Sequence, residues 1–547
     1  MKNEKDYFEL AELTIGNVLD AQRARRGDKI FLTEVWAGRT WTYAQLDDMS
    51  QRIAAGFRNV GVSKGQHVGL MLSNSAEHIA TFFALGRIGA VSVPVNTAAR
   101  GDLLHYYFDY SDVEVIVVDE ELAPRLADVL PRLSRVRHVV VVGADGRSAD
   151  LSRLGMQVTT SDLSAIAAAQ SRSANQPVDA VRCSDLLMLA FTSGTTGPSK
   201  GIMVSHAAAL TYGTSAAYAH RYVESDIFYI CLPLFHNNAL LASMGSALIC
   251  GGSVALSKRF SVSKFMGEIR ASHATVTNLL GAMSSFLWSQ PETRADLDHN
   301  LRLASMAPVP VFAEAFEKRF GLKAMTNYGL SDFANVTAFV AGSPTDKLGS
   351  IGKPRRDFEV RIVDDDDFEC TRGQVGEIVV RSKEPWRAAS GYYKMPEQTL
   401  AAHRNQWFHT GDRGLQDDED YVWFVDRKKD CIRRRGENIS AFEVEKAIMS
   451  HPAVANAAVF PVRTPEGDEE VGAAVVLREG AALDQRRLVD HCARNMTYFM
   501  VPRYIEFVQS LPVTENQKVE KFRLKQQMEA DLEAVWDREK MGVVLER

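Results

Sequence analysis

The sequence predicts an α/β protein, a mainly parallel sheet covered by helices, followed by a small separate α+β unit. Three observations carry this. From residue 68 onward, short β-branched runs alternate with segments of helical period. Runs such as Val115-Ile-Val-Val118 and His138-Val-Val-Val-Val142 are apolar throughout, the pattern of parallel strands buried on both faces. Beyond residue 429 the order becomes helix, two long strands and helix, as expected of a second core.

Each element has a local reason. Residues 68–72 form an apolar run, a strand, and 76–90 place Ile79, Phe82 and Phe83 at i, i+3, i+4 on one helical face. Residues 91–95 are β-branched and stop at Pro94 and Asn96. Strands at 115–118 and 138–142 flank a helical stretch at 121–130. The segment 144–184 is polar and rich in Ser, Ala and Gln, and reads as a surface excursion. The acid run at 364–367 lies between strand-like runs 359–363 and 376–381, and reads as a solvated hairpin loop rather than a metal site. Residues 421–426 form a short strand before the charged stretch 427–430. A helix at 441–450, Pro452, strands at 454–461 and 472–477 and a helix at 484–495 complete the second unit, with its boundary near Lys429.

Composition limits the function. The chain has 547 residues, 46% hydrophobic and 24% charged, so a mostly disordered protein is excluded and more than one domain is expected. A net charge of -6, from 63 basic and 69 acidic residues, gives no global basic bias toward nucleic acid. The six cysteines (Cys183, Cys231, Cys250, Cys370, Cys431, Cys492) include no C-x-x-C pair, which argues against zinc ribbons and disulfide frameworks. The start of the chain is charged, without an apolar signal region. The most membrane-like stretch, 227–250, is interrupted by Pro233, His236, Asn237 and Asn238, leaving less than the ~20 apolar residues of a spanning helix. The expectation is a cytoplasmic enzyme.

The sharpest feature is Phe191-Thr-Ser-Gly-Thr-Thr-Gly-Pro-Ser-Lys200-Gly201. Apolar runs lead in (186–191) and out (202–204), and Ser205 can cap a following helix. Gly194 and Gly197 let backbone N–H groups turn inward around an anion, and the hydroxyls and the Lys200 ammonium add donors, a set suited to polyphosphate. It is not a Walker A loop, because Lys200 is followed by glycine.

This string resembles the phosphate loop of the adenylate-forming superfamily: acyl-CoA synthetases, peptide-synthetase adenylation domains and firefly-type luciferases. Further motifs follow in family order. Tyr328-Gly-Leu-Ser-Asp332 resembles Tyr-Gly-x-Thr-Glu, Trp407-Phe-His-Thr-Gly-Asp412 the ribose-binding segment, and Asp426-Arg-Lys-Lys-Asp430 the hinge; Lys518 stands where the C-terminal catalytic lysine stands. Arg434-Arg-Gly-Glu-Asn-Ile-Ser440 and Asn495-Met-Thr-Tyr-Phe-Met-Val-Pro-Arg503 resemble the crotonobetaine/carnitine-CoA ligase-like acyl-CoA synthetases.

The resemblance implies two steps: a carboxylate attacks the α-phosphate of MgATP, and the thiol of coenzyme A then displaces AMP. It implies that residues from Thr192 through Ser193, Gly194, Thr195, Thr196 and Gly197 to Lys200 hold the β- and γ-phosphates. Ser331 would touch the α-phosphate and Asp332 stand at the Mg²⁺ position. Ala307-Pro308 and Asn327-Tyr328-Gly329 would flank the adenine, and Asp412 and Arg427 bind the ribose. Lys518 would bridge the carboxylate and α-phosphate, and Gly436 lie beside the pantetheine tunnel. The implied fold is a large N-terminal ATP- and acyl-binding domain (1–428) of doubly wound sheets plus a barrel-like portion, with a small mobile C-terminal domain (429–547) rotating about Lys429. The acyl pocket would be lined by Phe235, His236, Gly281, Ala282, Met306, Phe333 and Ala334, with Phe339 nearby, and favours a bulky apolar acid; an aromatic cage for a quaternary ammonium stays open. The chain stops at Arg547 without a carrier domain, and Phe235-His236 replaces the Phe-Asp of amino-acid adenylating domains, so a peptide-synthetase module is not expected.

Two departures fall on the first step. Asp332 is one methylene shorter than the family's glutamate, and Mg²⁺ tolerates misplaced oxygens poorly. Asn516-Gln517-Lys518 replaces Thr-Gly-Lys, removing a glycine that could adopt positive φ. A complete acid-CoA ligase and a ligase biased to thioester formation, fed acyl-adenylate by a partner adenylating enzyme, both remain open. So do a non-catalytic nucleotide- or acyl-binding protein, a luciferase-type oxygenase and a homo-oligomer.

Overall fold

A computed structural model describes residues 8–144, 147–154, 158–168, 180–192, 199–280, 282–288, 290–307, 309, 312–340, 342–427, 431–435, 437–464, 469–478, 480–512, 519 and 521–545. The chain divides into two compact units. One comprises Met1–Thr97, Phe108–Ala190 and Gly201–Asp426; the other comprises Ala98–Tyr107, Phe191–Lys200 and Arg427–Arg547.

The first unit holds two doubly wound sheets. In one, the order is Thr159–Asp162, His138–Val142, Val115–Asp119, His67–Met71, Val91–Pro94, Leu186–Thr192, Lys200–Ser205. The pairings from Thr159–Asp162 as far as Leu186–Thr192 are parallel. The earliest strand, His67–Met71, is central and later strands add on both sides, which defines the doubly wound pattern. Helix Ala76–Ile88 begins where Ser75 Oγ accepts the His78 N–H at 3.1 Å and ends at Gly89 with φ +69°. Ser205 caps helix His206–Ala219, accepting from the Ala208 N–H at 3.1 Å.

The second sheet has nine strands, in the order Lys353–Pro354, Asn335–Phe339, Lys323–Gly329, Leu303–Ala307, Val276–Leu280, Ile227–Ile230, Ser253–Leu256, Ile30–Glu34, Arg39–Thr42. Its centre is parallel and its edges antiparallel. A four-stranded sheet of Phe358–Val363, Gly376–Ser382, Phe408–Gln416 and Val422–Arg427 supplies the barrel-like portion.

The polar segment expected as a surface excursion is partly built into the fold. Thr159–Asp162 pairs in parallel with His138–Val141, and Leu163 and Ile166 of the next helix are buried. Backbone pairing at a sheet edge needs no apolar run, so composition concealed this strand. The acid run does connect Phe358–Val363 to Gly376–Ser382. Asp364 Oδ1 accepts the Asp366 and Phe368 N–H groups, and Asp367 pairs with Arg404 at 3.0 Å. Among the described residues no cluster suited to a metal ion occurs, and no helix is long and apolar enough to cross a membrane. The membrane-like stretch instead contains strand Ile227–Ile230, a π-helical turn Asn238–Met244 and helix Gly245–Cys250.

The second unit is α+β. Strands Val454–Arg463, Glu469–Leu477, Tyr504–Phe507 and Trp536–Asp537 form its sheet, packed by helices Ala441–Met449, Gln485–Asn495 and Lys521–Ala530. Ile439, Val444, Val459, Val471, Val475 and Leu488 sit in its core. A hairpin of Cys431–Arg434 and Glu437–Ser440 precedes them.

Candidate functional site

Strand Lys323–Gly329 ends in Tyr328-Gly329, and the chain turns back into Asn335–Phe339. Leu330 and Phe333 exchange both backbone hydrogen bonds, at 3.0 and 3.1 Å, so Ser331 and Asp332 occupy the tip of a tight turn. Both tip residues are half-exposed. Gly329 is required here, because a Cβ would lie 2.6 Å from the Ala334 carbonyl oxygen.

The turn is tied to segment 388–393. The Ala389 N–H donates to the Asp332 carbonyl at 2.8 Å, and Phe333 bridges Ala388. The other side of the same segment runs along the strand leaving the phosphate-loop sequence: the Met203 N–H donates to the Gly391 carbonyl at 2.9 Å and the Tyr393 N–H to the Gly201 carbonyl at 2.8 Å. Burial raises the pKa of the Tyr392 phenol, and the neighbouring Asp332 carboxylate raises it further. None of these contacts was visible in the sequence; only the clustered glycine and tyrosines of Gly391-Tyr392-Tyr393 hint at a packed segment.

Asp412 is the second anchor. It lies in strand Phe408–Gln416 and is 3% exposed. Its N–H donates to Thr410 Oγ1 at 3.0 Å, and that hydroxyl donates to the Ile378 carbonyl at 2.7 Å. Gly411, with φ +72°, donates its N–H to Glu377 Oε1 at 3.0 Å. The Tyr328 hydroxyl donates to Asp412 Oδ2 at 2.8 Å. Trp407, which opens the segment, lies between the Arg361 and Arg381 guanidiniums, 4.7 and 4.6 Å from its ring centroid. Asn327 Nδ2 lies 2.5 Å from His220 Nε2. His220 is 1% exposed, and burial lowers its pKa to about 3, so the imidazole is neutral.

The expected pocket residues separate. Phe235 and His236 are half-exposed with ring centroids 4.4 Å apart. Strands Val276–Leu280 and Leu303–Ala307 pair Asn278 with Ser305 and Leu280 with Ala307, and these four are the half-exposed positions. Met306 falls on the opposite face by strand alternation and is fully buried among Leu279, Phe316 and Ala324. Phe333 packs on Phe408 and Phe358, with centroids 5.1 and 6.2 Å away, and Ala334 is 1% exposed. Phe339 is buried and its ring faces Tyr421. Met306, Phe333, Ala334 and Phe339 are therefore buried, and Asn278, Leu280 and Ser305 lie on the more accessible face.

In the second unit, Lys200 opens strand Lys200–Ser205 and is half-exposed, and the Ser199 carbonyl accepts from the Tyr106 hydroxyl at 2.7 Å. Arg434, 4% exposed, anchors its hairpin through Glu470 at 2.5 Å and the Phe499 carbonyl at 2.8 Å. Ser193 to Gly197, Gly281, Pro308, Lys429, Gly436, Gln517 and Lys518 lie outside the described residues, as do the side chains of Thr192, Ala282 and Arg427.

Comparisons with known proteins fit this arrangement. The AMP-binding enzyme family matches residues 19–393, and the AMP-binding enzyme C-terminal domain matches residues 443–518. The chain is 30% identical over 494 residues to the crotonobetaine/carnitine–CoA ligase of Salmonella paratyphi A, covering 89% of this chain and 93% of the relative. It is similar to the amide bond synthetase McbA of Marinactinospora thermotolerans, with a TM-score of 0.79, 28% identity and coverage of 93% and 99% of the two chains. The o-succinylbenzoate CoA synthetase of Bacillus subtilis, bound to a product analogue, shares the fold with a TM-score of 0.80 and 24% identity over 93% and 98%.

Proposed function

Because this chain belongs to the AMP-binding enzyme family, we propose that it is a complete AMP-forming acid–CoA ligase, cytoplasmic, acting on a bulky and largely apolar carboxylic acid. The observation that carries the reading is the joining of the Tyr-Gly-Leu-Ser-Asp turn to the Thr-Gly-Asp segment through the Tyr328–Asp412 hydrogen bond. One residue pair then serves adenine and ribose together, with Ser331 and Asp332 a turn further on.

In this reading Asp412 accepts the ribose hydroxyls, Tyr328 stacks on the base, and Ser331 donates to the α-phosphate. The loop from Thr192 to Lys200 surrounds the outer phosphates, and Lys518 steadies the attacking carboxylate against the α-phosphate. Asp332 suits a hard cation, being a carboxylate at a half-exposed turn tip. Mg²⁺ held there supplies charge neutralisation on the transferring phosphoryl group. The acyl group would lie against Phe235, His236, Gly281 and Ala282, with Leu280 and Ser305 as its floor. Rotation about Lys429 would then bring Gly436 and the CoA thiol to the adenylate.

A specific observation favours a second reading. The short Asp332 side chain lies near enough to the buried Tyr392 phenol to raise its pKa, and a carboxylate drawn toward that phenol is a weaker metal ligand, which suits an enzyme fed acyl-adenylate by a partner. The test is mass spectrometry of acyl-CoA formed from ATP, CoA and a panel of acids, with an amine offered in parallel. Thioester formation supports the ligase; amide alone would reassign the acceptor.

A further inference from the structure

We propose that the acid carries one neutral hydrogen-bonding group, a hydroxyl or a carboxamide, read by Asn278, Asn238 and Ser243. This rests on the ligase reading and deepens it.

Asn278 interrupts the apolar strand Val276–Leu280 and shares the half-exposed face of Leu280, Ser305 and Ala307. Asparagine is disfavoured in strands, and every other position of this strand except Thr277 is aliphatic. Opposite it lies the π-helical turn Asn238–Met244, an irregularity that recurs at functional sites. Asn278 Nδ2 donates to Asn238 Oδ1 at 2.9 Å and to Ser243 Oγ at 2.8 Å. Both its N–H groups are thereby used.

The remainder is definite. Among the described residues, Asn278 Oδ1, the Asn238 N–H groups and the Ser243 hydroxyl hydrogen have no protein partner. Exchanging oxygen and nitrogen in both amides leaves the same kind of set, one amide oxygen beside amide N–H groups, so the chemistry does not depend on that assignment. Asn278 and Asn238 are half-exposed, so solvent can reach these amides while the face is open. An acid body that covers the face removes the water, and an acid without a matching group strands them at a cost of about 1–3 kcal/mol each. Sites that hydrogen-bond a substrate hydroxyl reject the analogue lacking it far more strongly than apolar pockets reject an extra methylene. No ion pair or charged hydrogen bond reaches these three side chains among the described residues. A trimethylammonium group has no N–H and no acceptor, so it cannot complete these hydrogen bonds.

The test uses the full chain and pairs of acids differing by one hydroxyl: benzoic and cyclohexanecarboxylic acids with their 3- and 4-hydroxy derivatives, and decanoic with 10-hydroxydecanoic acid. A trimethylammonium acid completes the panel. Each acid is offered with ATP, with adenylate trapped by hydroxylamine, and as preformed adenylate with CoA. We expect one hydroxylated member to exceed its partner by on the order of 100-fold in kcat/KM. Asn278→Val, and separately Asn238→Leu, should each collapse that preference below about tenfold. Pairs used equally well, a preference surviving both variants, or best use of the trimethylammonium acid would overturn the inference while leaving the ligase reading intact. Failure to convert any acid or adenylate would overturn the ligase reading and this inference with it.

Discussion

The hydroxyl of Tyr328 donates to the carboxylate of Asp412 at 2.8 Å, and both residues are almost completely buried. One stands near the end of strand Lys323–Gly329 in the nine-stranded sheet and the other in the four-stranded antiparallel sheet, so a single bond ties these two sheets together where we place the nucleotide. Bonds to a charged partner contribute about 1.5–3 kcal/mol.

Tyr328→Phe keeps the ring and removes that donor. We expect the KM for ATP to rise about tenfold, equivalent to about 1.4 kcal/mol, with kcat changed far less, because the phenol orients Asp412 rather than reacting. Pyrophosphate release at varied ATP measures this. A fall confined to kcat would show that the hydroxyl acts in the chemical step instead.

Stability should fall in mild acid. His78, His206 and His220 are buried, and desolvation lowers their pKa values to about 4, 4 and 3. A base whose folded pKa lies below its unfolded value near 6.5 is protonated mainly in the unfolded chain. Stability from these groups is thus complete above about pH 6.5 and is lost as pH falls from there toward the folded values. Each contributes about 1.4 kcal/mol per pH unit in that window, so together about 4 kcal/mol. Urea unfolding at pH 7.5 and 5.5 should show this drop. His206→Gln, which removes one group and whose amide can still accept from the Ile15 N–H, should shrink it by about a third. Equal stability at the two pH values would contradict the assignment.

How far the sequence reached depended on what kind of signal each feature leaves. Strands such as Val115–Asp119 were legible because parallel burial demands an unbroken apolar run. Thr159–Asp162 was not, because edge pairing is made by backbone groups that any residue carries. The motif residues Tyr328, Ser331, Asp332 and Asp412 are picked out by resemblance to family motifs. Their neighbours Tyr392 and Glu377 are not, because those contacts join segments distant in sequence. Met306, expected in the acyl pocket, faces away from Ser305 and Ala307, because strand alternation sends the middle residue of the three to the other face. Asn278 belongs to the stretch 277–283, which the sequence already suggests as pocket lining, but its hydrogen-bond partners Asn238 and Ser243 lie about 35–40 residues away and leave no local signal.

Two facing glycines make a separate test of packing. A Cβ on Gly213 would lie 2.6 Å from the Gly245 carbonyl carbon, whereas a Cβ on Gly245 would meet nothing closer than 3.8 Å. Gly213→Ala should destabilise by about 1–3 kcal/mol through overpacking. Gly245→Ala should be neutral or stabilising by up to ~1 kcal/mol, since alanine is the better helix former. Thermal unfolding of both variants measures the asymmetry, and equal effects would mean the two helices are not in this close contact.

The first half-reaction decides between the two enzyme readings. Pyrophosphate release from ATP and acid is measured without CoA, and CoA consumption with synthetic acyl-adenylate. We expect both to proceed at similar efficiency, pyrophosphate appearing at ~1 s⁻¹ or faster as in ordinary enzymes. Aspartate still offers oxygens to a hard cation from a half-exposed turn tip. Asp332→Asn should then cut pyrophosphate release by about 10²–10³ and leave CoA consumption from preformed adenylate nearly intact, because only the first step develops charge on the transferring phosphoryl group. The competing reading predicts slow release in the wild type, and recovery when Asp332→Glu restores the missing methylene and Gln517→Gly restores the loop's conformational freedom. Slow wild-type release rescued by that pair would establish an enzyme adapted to thioester formation, and brisk release would leave Asp332 as a working substitute for the longer acid.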